Sequence, residues 1–449
     1  KPNSDEQVKP GRLALAGNVT AQDLQQLGFD WAGLRMDGTA HVNVLVEGPL
    51  EKPSAYRVEA DFEQARLMPI PLAYEKPVGQ AARIIAALEM DAAGKIKNLR
   101  TRGYVDGEEL LKASLAFEEG VLTTLDMKPV SLGRTQNLVV NLMSDRDGRQ
   151  IEVSADQLDA LGMFARGNPE IIMPPRARGS FFDFLGENAT IEVQAEKVVG
   201  GYQEELLAMQ LFVARRDDLF EKVTLQGLFA NGSELLGSLE RTDNSTRSYN
   251  IQTENASGLF HLLGLMEGVQ GGAMMLQGHL YDDMRDTNGD YKQSSGRFDM
   301  VSFRARKVPT LAKILSVGSF KGFADTLNGD GIQFDHAEFK FSLVDDLLRI
   351  KGGRAYGSAI GFTSKGDYNV ATSEFAFGGT VVPAYTVNSL FSKIPILGRL
   401  LTGRKGEGLL GLGYRVTGQH GEPSVLVNPL SILTPGIFRR IFEVGIDFD

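Results

Sequence analysis

The 449-residue chain has no cysteine, one tryptophan (Trp31), five histidines and no surplus of positive charge. The lack of cysteine excludes a disulfide framework; it avoids mispairing in an oxidising compartment and is equally at home in a reducing one. A single tryptophan supplies no aromatic girdle, which argues against an outer-membrane barrel. No run of ~18 apolar residues occurs, so the sequence holds no membrane-spanning helix. A formal net charge of −10 leaves no basic stripe for phosphates, which excludes nucleic acid as a partner and otherwise serves solubility. The chain opens at Lys1 without a methionine or a leader, and KPNSDEQVKP reads as the linker end of a piece cut from a longer protein.

Catalytic and metal signals are missing too. His41, His261, His279, His336 and His420 show no metal-ligand spacing and read as surface or strand residues. Asp286-Thr287-Asn288-Gly289-Asp290 starts like a calcium loop, but Tyr291 stands where the sixth-position glycine belongs and Arg297 where the final glutamate belongs. Gly398 to Gly406 comes near a phosphate loop, yet its lysine falls one place late and Gly406 replaces the hydroxyl residue. In Gly357-Ser358-Ala359-Ile360-Gly361 the serine is misplaced for a nucleophile elbow. Asp282-Asp283 and Asp345-Asp346 sit at turns, where carboxylates stay solvated. The expectation is a protein that is not an enzyme and has no metal or cofactor.

What the chain does have is glycine and alternation. Its 51 glycines exceed the usual ~7% and lie among short runs in which apolar and polar residues alternate. Leu13 and Leu15, Val42, Val44 and Val46, Tyr56 to Phe62, Leu115 to Phe117, Leu138 to Leu142, and Ile191, Val193 and Ala195 all read as half-buried strands. So do Val223 to Gly227, Val301 to Ala305, Phe339-Phe341-Leu343 and Phe375-Phe377. Asp37-Gly38, Asp106-Gly107, Glu119-Gly120 and Asp147-Gly148 are spaced as hairpin turns. Helical periodicity is expected at Val78–Leu88, at Asp156–Phe164, around Leu259–Met266, and over Leu311–Leu315 after Pro309. Near the end, Val387, Leu390, Phe391 and Ile394 form one stripe, and Thr434 and Pro435 open a helix carrying Ile437, Phe438, Ile441 and Phe442. No repeat of fixed period is present.

Strands apolar on one face imply antiparallel sheet with one wet face. The few short helices are too few to cover the dry one. The sheet must close as a barrel, pack as sandwiches, or curl into a trough whose lining meets an apolar ligand.

The C-terminal half resembles the YhdP-type AsmA-like family of bridge-like bacterial lipid-transfer proteins. The likeness is carried by Asn255-Ala256-Ser257-Gly258-Leu259 with Gly271-Gly272, by Val308-Pro309-Thr310-Leu311 through Ser316, and by Gly329-Asp330-Gly331 and Gly357–Thr363. It is strongest in the tail: Val382-Pro383-Ala384-Tyr385, Asn388-Ser389, Ile394-Pro395-Ile396-Leu397-Gly398, Gly418 with Pro423, Val427-Asn428-Pro429-Leu430 and Pro435-Gly436. The match extends over Gly186–Phe442; before that, Tyr74-Glu75-Lys76-Pro77-Val78-Gly79 alone is similar.

The resemblance implies a mainly β fold: a long antiparallel sheet curled into an elongated, β-taco-like groove with a few short amphipathic helices, notably at the C-terminus. It implies a periplasmic segment, in a Gram-negative bacterium, of a protein anchored in the inner membrane. Such a protein carries phospholipids between inner and outer membranes, with the acyl chains in the groove and an envelope protein as a possible partner. On this reading residues 1–10 are a linker, 11–166 and 180–299 are groove segments joined by the proline-rich 167–179, and 300–449 is the AsmA-like C-terminal segment. Phe339, Phe341, Leu343, Phe375 and Phe377 would line the groove. Val387, Leu390, Phe391, Ile394, Leu397, Ile437, Phe438, Ile441 and Phe442 would form its mouth. The plain alternatives are phenylalanines in an ordinary dry core and a non-transporting scaffold or assembly factor for outer-membrane components.

Overall fold

The computed structural model describes residues 12–26, 34–49, 51–69, 74–161, 188–217, 219–281, 293–317, 321–383, 412–419 and 422–428. These residues are mainly β, and they divide into two compact units, 1–232 with 261–265 and 233–260 with 266–449.

The first unit runs β1 (Arg12–Thr20), α1 (Ala21–Gln26), β2 (Leu34–Glu47), β3 (Ala55–Asp61), β4 (Ala65–Pro69), β5 (Ala82–Met90), β6 (Ile96–Val105) and β7 (Glu108–Glu118). It continues with β8 (Val121–Leu132), β9 (Thr135–Asp145), β10 (Gly148–Asp159), β11 (Ala189–Val199), β12 (Glu205–Arg216) and β13 (Leu219–Phe229). Each strand pairs with its chain neighbour, except that β3 and β4 both lie along β2 and β5 returns to β3. Among the described residues all of these pairs are antiparallel but one. β10 and β11 run parallel, which requires a crossover, and the proline-rich stretch 167–179 falls between them, outside the described residues.

Two-residue hairpins set the registers. Asp106 and Gly107, and likewise Glu119 and Gly120, both have positive φ (50° and 86°, 53° and 87°), the backbone that matches the right-handed twist of the strands they join. The aspartate–glycine pair 37–38 does something else. It lies inside β2, where the strand changes partner from β4 to β3, and a Cβ on Gly38 would stand 2.6 Å from Gln64 O. Val78–Leu88 is not helical either: Ala82–Met90 is a strand, paired on both sides with β3 and β6. Asp156–Asp159 likewise belongs to β10. In both segments two flanking ladders outweigh the helical preference of alanine and leucine.

The second unit is an antiparallel meander: β14 (Glu234–Arg241), β15 (Thr246–Thr253), α2 (Ala256–Leu262, of which residues 256–260 belong to this unit), β16 (Val269–Tyr281), β17 (Gln293–Ala305), α3 (Pro309–Val317), α4 (Lys321–Asn328) and β18 (Ile332–Val344). β19 (Leu347–Tyr356), β20 (Ile360–Asn369), β21 (Glu374–Pro383), β22 (Leu412–Gln419) and β23 (Glu422–Asn428) complete it. α3 begins at Pro309, as the spacing predicts, and buries Ile314 and Leu315. α4 has no counterpart in the sequence reading; it buries Ala324 and Leu327 and packs on α3 and β18.

This second sheet is curled. Lys313 Nζ donates to Pro423 O at 2.9 Å. Followed from strand to strand through Gly418, Phe375, Tyr368, Leu348 and Leu343, Pro423 falls in register with Ser294 of β17. On a flat sheet, six strand spacings and the length of β17 would put Pro423 about 45 Å from Ala305. The link after Ala305, the start of α3 and a lysine side chain span roughly 25 Å. Only a curled sheet brings β23 back to α3. Neither unit closes into a barrel; no pairing joins its first and last strands among the described residues.

A buried lysine stabilises the corner of the first unit. Lys76 is 1% exposed, and its ammonium donates to Phe62 O at 2.5 Å, Ala65 O at 2.6 Å and Glu63 O at 3.3 Å. These carbonyls turn the chain from β3 into β4 beside Met36, Ala40 and Phe62 of the local core. Glu75 holds Arg66 at 2.6 Å. Lys76→Met leaves the carbonyls bare, at a cost of about 1–3 kcal/mol for each that water does not reach, measurable by denaturant titration. Burial lowers the Lys76 pKa below the ordinary lysine value. The unfolded state therefore binds more protons between the folded pKa and the unfolded one. Across that alkaline window the stability of wild type is expected to rise relative to Lys76→Met as pH increases.

Candidate functional site: an apolar face on each sheet

Residues paired across neighbouring strands lie on the same face of a sheet, so the registers show which side chains line up. In the first unit one row reads Leu13, Val46, Tyr56, Leu88, Leu99, Leu115, Leu125, Leu142, Ile151, Ile191, Val213 and Val223. It crosses from β1 to β13 without a charge. The adjacent row on that face begins Leu15, Val44, Val58, Ala86 and ends Val140, Val153, Val193, Leu211, Leu225. The opposite face carries Arg57, Arg100, Asp126, Asn141, Glu152 and Glu192 in a single row.

The second unit repeats the arrangement with different side chains. Its central row is Leu239, Tyr249, Gly278, Gly296, Phe341, Ile350, Gly366, Phe377, Val416 and Val425. The row beside it holds Leu280, Ser294, Leu343, Leu348, Tyr368 and Phe375, and starts at Arg241 and the fully buried Arg247. Toward the end of the strands near α3 and α4, Leu235, Met274, Met300, Val381 and Leu412 are dry.

All five candidate lining residues fall on this face. Phe341 and Phe377 share the central row, Leu343 and Phe375 the next, and Phe339 stacks on Phe298 of β17 at 4.8 Å between ring centroids. Each of the five is half-buried. The candidate mouth residues Val387, Leu390, Phe391, Ile394, Leu397, Ile437, Phe438, Ile441 and Phe442 lie outside the described residues, as does the calcium-like stretch at Asp286.

Glycines opposite the rings explain how large side chains make a low floor. A Cβ on Gly296 would stand 2.6 Å from Phe341 Cζ, one on Gly366 2.6 Å from Phe377 Cδ1, and one on Gly278 2.5 Å from the Tyr249 hydroxyl. Each ring therefore lies down across the neighbouring strand instead of projecting from it. The tyrosines turn their polar ends into the protein. The Tyr249 and Ser294 hydroxyls are hydrogen-bonded at 3.1 Å, and Tyr414 donates to Thr363 O at 2.9 Å. Burial pushes both phenols above the ordinary tyrosine pKa.

Apart from Arg241 and Arg247, the ion pairs of these strands lie on the reverse face. Arg297 bonds Asp299 and Glu338, both at 2.5 Å, Arg354 also holds Glu338, and Arg349 bonds Asp367 at 2.9 Å. Asp299, His336 and Glu338 place potential ligand atoms within 4.8 Å of one another, a grouping that their sequence spacing does not reveal. The two arginines already neutralise both carboxylates, and hydrogen bonding from Arg297, with a smaller contribution from His336, outweighs the opposing effect of burial and leaves Asp299 with a lowered pKa. The cluster is an ion-pair network that staples β17, β18 and β19.

The glycine–ring contact gives a direct test. Gly296→Val is expected to destabilise the second unit by about 1–3 kcal/mol, the usual cost of overpacking. In a Phe341→Ala background the penalty should shrink by at least ~0.5 kcal/mol, read from a double-mutant cycle of denaturant midpoints. Equal penalties in both backgrounds would show that the ring does not lie over the glycine.

Comparison of the chain with protein-family models, with curated proteins and with solved structures returns no match.

Proposed function

We propose that this chain is a periplasmic segment of a membrane-bridging protein that carries phospholipids between the inner and outer membranes of a Gram-negative envelope and so contributes to outer-membrane lipid homeostasis. The observation that carries the reading is the pair of apolar rows, Leu13 to Val223 and Leu239 to Val425, half-open to solvent and free of charge along their length. Most of the charge lies on the opposite face, and the arginines of the apolar side (Arg149, Arg215, Arg241, Arg247) are set in neighbouring rows toward the strand ends. Full burial of a leucine, valine or phenylalanine is worth roughly 1.5–3 kcal/mol. A half-buried row therefore leaves on the order of 1 kcal/mol per side chain to be gained from an apolar cover. An acyl chain supplies that cover at any point along the row, because each methylene removed from water contributes about 0.8 kcal/mol and asks for no particular partner. Translation from one strand to the next then exchanges like contacts for like, which is what passage requires. The reading assigns no reaction to the chain and needs no cofactor. No described helix is long and apolar enough to cross a membrane; the reading places the inner-membrane anchor in the full-length protein.

Gently purified protein examined by native mass spectrometry is expected to retain phospholipid. Phe341→Asp and Phe377→Asp should each lower the bound fraction severalfold while leaving the far-UV circular dichroism unchanged, since both positions are half-exposed. Ser424→Asp, on the polar face, should have no effect. Wild-type protein consistently free of lipid would reject the conduit and favour a non-transporting scaffold. Unfolding of both phenylalanine variants would return those residues to an ordinary core.

A further inference from the structure

On the reverse face of the second unit, strand register assembles a basic row that no stretch of the sequence contains. Arg297 pairs with Lys340, and Lys340 with Lys351. Lys351 and Lys365 each adjoin the apolar-face pair Ile350–Gly366, so both belong to the reverse face. Lys365 pairs with Gly378, Gly378 with Arg415, and Arg415 with Leu426. Lys340, Lys351, Lys365 and Arg415 are all exposed, and Leu426 is 69% exposed. From β18 to β22 the row crosses four strand spacings, about 19 Å.

The fold itself gains nothing from this row. Like charges directly opposite each other, as Lys340 and Lys351 are, destabilise a sheet. The carboxylates of the flanking rows are engaged by arginines: Glu338 by Arg297 and Arg354, Asp299 by Arg297, and Asp367 by Arg349. Among the described residues no ion pair takes up Lys340, Lys351 or Lys365. β18, β19 and β20 are paired on both sides, so these lysines do not guard a sheet edge. Nor do they serve solubility, because in a chain of net charge −10 each added cation lowers the net charge.

We propose that this row docks on the surface of an anionic lipid bilayer, with Lys340, Lys351, Lys365 and Arg415 among the headgroup phosphates and Leu426 at the boundary with the acyl region. Protein interfaces are depleted in lysine and enriched in arginine and aromatic residues; this row is three lysines and one arginine, without a ring. Lysine is a point charge on a flexible stem and demands no fixed partner geometry, which suits fluid headgroups better than a folded surface. Exposed leucine beside clustered cations is the composition that holds a protein surface to anionic lipid. The row lies on the face opposite the apolar floor, so the inference does not rest on acyl-chain carriage and can fail without it.

Co-sedimentation of the full chain with vesicles tests it. Wild type is expected to bind vesicles of phosphatidylglycerol mixed with phosphatidylcholine more tightly than vesicles of phosphatidylcholine alone, and added salt should remove the difference. Lys351→Gln and Lys365→Gln should each lower the affinity for the anionic vesicles about fivefold. Neither should change the affinity for neutral vesicles, the circular dichroism or the phospholipid retained in native mass spectrometry. Equal affinity for the two kinds of vesicle overturns the proposal, as does anionic binding that both substitutions leave unchanged. A wild type that ignores the anionic vesicles and binds polyglutamate also overturns it, and would assign the row to an acidic protein.

Discussion

Strand register is the constraint on which the rest depends. Side chains alternate with a period of two, so a slip of one residue at any hairpin would move every later apolar position to the wet face. The first unit keeps Leu13 in line with Val223 across all its main strands, through several bulges and one parallel pair. Two-residue turns such as Asp106-Gly107 contribute by fixing where each return strand begins. Bulges, as between Ile350 and Gly353, absorb the extra residues without exchanging the faces. Packing alone cannot enforce this order, because much of the aligned row remains half-exposed. The ladders and turns have to do it.

Glycine carries a second part of the arrangement. In a strand it normally weakens the sheet, since it has no side chain to pack. Here the loss is offset where a ring from the next strand covers the gap, as Phe341 covers Gly296 and Phe377 covers Gly366. The outcome is an apolar surface rich in aromatic area that does not fill the space above it. Leucine in place of those glycines would give the same hydrophobicity and a blocked floor.

Alternation is local, and so the strands were legible in the residues themselves: Leu13 and Leu15, Val44 and Val46, Phe339 and Phe341 are each a few positions apart. The polarity of the two faces and the shortage of helix followed from the same pattern. Register is not local. Nothing in the sequence says that Phe341 stands opposite Gly296, or that Asp299 meets His336 and Glu338. Those meetings depend on the number of residues spent in each turn and bulge. Helical misreadings have a local cause as well: Ile84, Ile85 and Leu88 lie at helical spacing among alanines, and only the two flanking strands make that segment β. The curl of the second sheet is the least local feature of all, visible only once Lys313 is seen at Pro423.

The dry and half-open regions of the second apolar face bear on how such a surface works. Where α3 and α4 pack, Leu315, Leu327, Val381 and Leu412 are sealed from water, and this end gains its full burial energy on folding. Along the Phe341–Phe377 row burial is partial, and the ungained part is available to whatever covers the face. A protein that is only marginally stable can leave a face uncovered only if stability is secured elsewhere. Here that is done by the sealed end, by continuous backbone ladders and by the Arg297–Glu338–Arg354 staple on the reverse side. The polar staple and the apolar floor are two sides of the same strands. Because they share a backbone but no side chains, the floor can change its covering without disturbing the ion pairs that hold the strands in register.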